Sequence, residues 1–129
     1  MKWISWLFFE VPRRAFERSH DAVGRLLKWP YRLCVVDESL PKRLSSRALY
    51  VVQDDGYLEQ AAMICPCGCG RVLQMNLLQD EWPCWRLTRH EDGTATLHPS
   101  VWRKKDCGSH FWFRRGRVQW CRESFTQDL

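Results

Sequence analysis

The chain has 129 residues, 45% of them hydrophobic, which suits one domain with a proper core and excludes a disordered segment. A formal net charge of +5 and a pI near 9.0 favour an acidic partner (nucleic acid, an anionic membrane surface or an acidic protein) without choosing among them. Seven cysteines, an odd number, argue against a closed disulfide framework and for reduced thiols in a cytoplasmic protein.

Residues 1–9, MKWISWLFF, are too few to cross a bilayer, which takes about 20 apolar residues, and lack the small-residue cleavage site of a secretory leader. They fold onto the core, or else dock on a membrane surface or a partner. Residues 11–29 predict an amphipathic helix: Pro12 suits its first turn, and Phe16, Val23, Leu26 and Leu27 can share a face. Arg13, Arg14, Arg18 and Lys28 decorate the rest, and Trp29-Pro30 ends it. Residues 1–30 thus form a hydrophobic and basic helical segment, for which membrane contact through 1–29 is the lesser reading.

From Tyr31 the texture turns to short strands. Tyr31–Asp37 is the first, and the stretch to Ser46 has the Pro and Ser of a loop. ALYVVQ at 48–53 is strongly β-forming, and Asp54-Asp55-Gly56 turns it into YLEQAAMI at 57–64. That strand runs into Cys65-Pro66-Cys67-Gly68-Cys69-Gly70, and RVLQMNLL at 71–78 leaves it in alternating polar and apolar steps. CWRLTR at 84–89 and TATLH at 94–98 flank a second hairpin turn, His90-Glu91-Asp92-Gly93. Pro99-Ser100-Val101-Trp102 and the charged run after it predict a loop or a short helical turn. HFWFR at 110–114 and RVQWC at 117–121 flank a third hairpin at Arg115-Gly116.

Three thiols packed into 65–69 and the later pair Cys107 and His110 offer five candidate ligands to a metal that takes four. Soft sulfur with imidazole suits zinc, and a turn stiffened by Pro66 and freed by Gly68 and Gly70 lets nearby thiols converge as a flat strand would not. Spacing leaves open which of Cys65, Cys67 and Cys69 join Cys107 and His110. With no HExxH and thiolates enough to close the coordination sphere, a structural zinc is expected, not a catalytic one. Cys34 and Cys121 read as small buried hydrophobes, and Cys84 is the candidate for a reactive thiol.

Arg103, Lys104, Arg114, Arg115 and Arg117 sit among Phe111, Trp112, Phe113 and Trp120. This mixture makes them candidates for nucleic-acid or partner contact. It fits as well an alternating strand with aromatics inward and arginines in water.

CPCGCG at 65–70, HEDGTATLHPSVW at 90–102 and CGSHFWFRRGRVQWC at 107–121 together resemble a bacterial family of small zinc-binding proteins. Its members have no assigned reaction and are often encoded beside ubiquitin-like, E1-like, E2-like and JAB-peptidase genes in defence-type operons. The resemblance spans most of 31–121. It implies a cytosolic zinc protein connected with ubiquitin-like conjugation, with Cys65, Cys67, Cys69, Cys107 and His110 as ligands.

The expectation is an α+β, mostly β protein. Antiparallel hairpins at 31–129 surround one structural zinc, behind an N-terminal amphipathic helix. Its function is that of a non-enzymatic adaptor in a ubiquitin-like conjugation or antiphage defence system. A basic zinc-dependent nucleic-acid binder and a zinc hydrolase or thiol-dependent transfer or deconjugation enzyme stand beside it as alternatives.

Overall fold

A computed structural model describes residues 29–121; the predicted helix at 11–29 except its last residue, Trp29, the segment before it and the tail after Cys121 lie outside them. The described residues are all β, with eight strands in two four-stranded sheets. The first sheet is β1 (Arg32–Asp37), β2 (Ala48–Asp54), β3 (Tyr57–Ile64) and β4 (Val72–Asn76), side by side in that order. The second is β5 (Arg86–Arg89), β6 (Ala95–Trp102), β7 (His110–Arg114) and β8 (Arg117–Trp120), again in chain order.

Alternation along the strands builds one shared core. Leu49, Val51, Ala61, Met63, Leu73 and Met75 from the first sheet meet Leu97, Val101, Phe111 and Phe113 from the second. Burial of such side chains is worth about 1.5–3 kcal/mol each. In β2, Ala48, Tyr50 and Val52 are buried as well, so this strand is covered on both faces, as its nearly unbroken apolar run suggests.

The hairpins β2–β3, β3–β4, β5–β6 and β7–β8 are antiparallel, as expected, and β6–β7 is a further antiparallel pair. One pairing departs from the expectation: β1 and β2 run parallel, Arg32 opposite Ala48 through Asp37 opposite Gln53. The connection over 38–47 is long enough to carry the chain back. It turns sharply at both ends, where Glu38 (φ 68°) and Arg47 (φ 58°) take left-handed conformations.

A second correction concerns 99–102. It is the end of strand β6, not a loop or helical turn. Pro99 has no N–H for a ladder, and the register shifts there: Leu97 pairs with Phe113 and Val101 with Phe111. Residues 98–100 therefore stand opposite Trp112, a bulge of the kind that bends a strand and re-aims its side chains.

Gly116 locks the two sheets together. Its N–H donates to the Ala95 carbonyl (2.8 Å), and its carbonyl accepts from the Tyr31 N–H at the start of the first sheet (2.7 Å). The Tyr31 ring meets Phe113 edge-on at 5.5 Å.

Candidate functional site

The cysteine turn joins β3 to β4, and the loop carrying Cys107 joins β6 to β7, so each sheet offers one hairpin tip. The Cys65 N–H donates to Arg71 O (2.8 Å) and the Gly68 N–H to Cys65 O (3.3 Å), closing the first tip. Gly68 (φ 94°) and Gly70 (φ 80°) take backbone shapes that a side chain would resist. Across the gap, Asp106 binds Arg103 (2.8 Å) and Arg71 (3.5 Å), one cation from each tip.

This brings the sulfurs of Cys65, Cys67, Cys69 and Cys107 within 4.8 Å of one another. Cys65 Sγ is 3.3 Å from Cys67 Sγ and 3.6 Å from Cys107 Sγ. Four sulfurs on one tetrahedral ion at about 2.3 Å would lie about 3.8 Å apart, so the set fits a metal that takes four thiolates. These four cysteines could hold a metal ion. Cys65 is buried and the other three are exposed. Burial pushes the Cys65 thiol up to about 12, whereas hydrogen bonds from Ser109 bring Cys107 down to about 6. Cys67 is lowered as well, first by its contact with Cys65. The buried Ser109 hydroxyl lies 3.1 Å from Cys107 Sγ and 3.3 Å from Cys65 Sγ, placed to donate to either sulfur once it is a thiolate.

His110, the fifth expected ligand, is outside this cluster. Its Nε2 lies 3.0 Å from the Ser100 hydroxyl. Strand geometry explains the contact. With Val101 and Phe111 in the core, Ser100, Trp102 and His110 fall on the outer face of the second sheet. Trp102 is directly opposite His110, and Ser100 is its diagonal neighbour. The Trp102 ring stacks on the imidazole (centroids 4.8 Å, 16°) and fixes its plane. His110 Nδ1 is buried and has no hydrogen-bond partner among the described residues. If the hydroxyl donates to Nε2, the ring proton sits on Nδ1, the tautomer in which imidazole serves as a base toward that hydroxyl.

Of the expected basic contacts, Lys104 lies over the Trp102 ring (4.8 Å) and Arg114 over Trp112 (4.4 Å). Arg103 is paired with Asp106, and Arg115 lies 3.9 Å from Asp92. Arg117 starts β8 opposite Arg114. Cys34, Cys84 and Cys121 are half-buried, none of them in the thiol cluster. The other hydroxyl–imidazole contact, His90 with Thr96 (2.6 Å), is a turn brace, since Thr96 also accepts the Arg115 N–H. Sequence reasoning missed Ser100: a serine between proline and valine carries no signal until strand register brings it to His110.

The chain matches, over residues 36–121, the family described as bacterial ubiquitination-like system serine protease, BubE. It belongs to the BubE family. That membership supplies the ubiquitin-like context expected from the CPCGCG, LHPSVW and HFWFRRGRVQWC motifs. No curated protein and no solved structure matched the chain.

Proposed function

We propose that this BubE-family chain is a serine protease acting on protein substrates of its ubiquitin-like system, with Ser100 as nucleophile and His110 as general base. The observation that carries the reading is the 3.0 Å contact between Ser100 Oγ and His110 Nε2 in a family described as serine proteases. Ser100 Oγ attacks the scissile carbonyl while Nε2 takes its proton. The new O–C bond replaces the C–N bond, and the proton passes from Nε2 to the departing amine. Water then attacks the ester, gives a proton to Nε2, and Ser100 recovers it as the carboxylic acid leaves. The Trp102 ring replaces the usual carboxylate as the element that orients the imidazole.

Zinc is the metal that suits Cys65, Cys67, Cys69 and Cys107. Four thiolates would fill its coordination and leave no position for water, so its part would be to clamp the two hairpin tips. Cys107 is three residues before His110, so such a clamp would also hold the start of β7.

This reading is preferred to a purely adaptor role because the family is described by a serine protease activity. It is also preferred to the nucleic-acid alternative, for which the aromatic and basic side chains are Trp102 with Lys104 and Trp112 with Arg114. The test is cleavage of the system's ubiquitin-like protein fused through its C-terminus to a reporter, with Ser100→Ala as the comparison.

A further inference from the structure

A groove of about 190 Å³ runs between β4 and the end of β6, lined by Val72, Gln74, Met75, Trp85, Trp102 and Arg103 among others. It is smaller than the roughly 300–1,000 Å³ sites that engulf small ligands. Its walls are two strand edges. On β4, the bonds Cys65 N–H to Arg71 O and Leu77 N–H to Glu59 O belong to the narrow pairs of the ladder with β3. Odd-numbered residues of β4 therefore face β3, and Val72 and Gln74 turn their N–H and C=O groups outward. Asn76, of the same parity, confirms it by accepting the Trp85 N–H on that outer side (2.8 Å).

On β6, the Arg103 N–H donates to Ser109 O (2.7 Å), so Arg103 and Val101 face β7. Ser100 and Trp102 turn their main-chain groups the other way. The Ser100 carbonyl accepts from Trp85 Nε1 on that side (3.3 Å). The pairing of β5 with β6 ends at His98, so β5 provides no strand partner for this edge beyond that residue. Arg103 Nε, also at the groove, is buried without a hydrogen-bond partner among the described residues.

We propose that this groove receives the substrate polypeptide as an added β-strand, recognised through its main chain by Val72, Gln74 and Trp102 and led to Ser100. Unpaired main-chain donors and acceptors in a row are satisfied by another extended chain; a helix has already used its own. The edge that lines the groove at Trp102 is the edge of the strand that carries Ser100, so a chain bound there runs beside the nucleophile. The substrate class is an extended, unfolded tail, read by backbone more than by side chain.

The inference rests on the Ser100–His110 reading, and the experiment separates the two. The full chain is given the ubiquitin-like protein with its C-terminal reporter fusion. Gln74→Pro removes one outward N–H and leaves the β3–β4 ladder intact, and it is expected to raise KM about tenfold while kcat changes little. Val72→Pro is the second such variant, and metal content and melting temperature report their folding. In Ser100→Ala protein, binding of the uncut fusion is expected to slow hydrogen exchange at the Val72, Gln74 and Trp102 amides. Unchanged KM in folded variants, or protection that spares these amides, overturns the groove and leaves the protease reading standing. Undiminished cleavage by Ser100→Ala overturns the protease reading instead.

Discussion

Cys65 and Cys107 stand 42 residues apart in the chain, and their sulfurs lie 3.6 Å apart where the tips of the two sheets meet. The contact makes the thiol cluster the seam of the fold. Cys107→Ser is therefore expected to leave the protein short of metal and to lower its melting temperature, whereas Cys84→Ser leaves both unchanged. Ser109→Ala, which removes a hydroxyl beside two of the sulfurs, should weaken metal binding about 10–100-fold. Metal analysis after dialysis measures all three. Chelation should also stop cleavage, because His110 follows Cys107 by three residues.

Metal uptake should release protons, and the two best-placed thiols differ in what they give. Cys65, pushed up to about 12 by burial, is a thiol at neutral pH and loses its proton when it ligates. Cys107, brought down to about 6, is already a thiolate above that pH and gives none. Acidification through about 6 adds Cys107 to the groups that protons occupy, so affinity falls more steeply below that point. Titration calorimetry in buffers of different ionisation enthalpy counts the protons.

Gly116 has a more local role. A Cβ there would lie 2.9 Å from Pro30 Cβ and 3.1 Å from the Tyr31 carbonyl, on a backbone at φ +73°. Gly116→Ala should cost about 1–3 kcal/mol of stability. A denaturant midpoint equal to that of the parent protein would contradict it.

Much of the strand pattern from Tyr31 to Cys121 was legible because these hairpins have their own turn chemistry: Asp55-Gly56 and Arg115-Gly116 take positive φ at both residues, and the His90–Gly93 turn takes it at Gly93. The cysteine cluster was legible in its thiols, since three of them fall in one turn. Two things were not. The parallel pairing of β1 with β2 depends on how residues 38–47 return, which no local pattern encodes. Ser100 depends on a strand continuing through Pro99, where residue preference reads a loop. His110, three residues after a cysteine, resembled a ligand for the same reason that it lies near the metal cluster: one loop serves both.

Ser100 and His110 should act as a unit. The double variant Ser100→Ala/His110→Ala is expected to be no slower than either single variant, because each alone removes the same attacking alkoxide. Multiplying effects in steady-state kinetics would show two independent contributions and break the pair.

The most direct measurement is cleavage of the C-terminal reporter fusion of the ubiquitin-like protein by the full chain and by Ser100→Ala, with metal content checked in both. The expected result is a fall in rate of about a thousandfold or more with metal retained. Cleavage by Ser100→Ala at the parent rate would contradict Ser100 as the nucleophile.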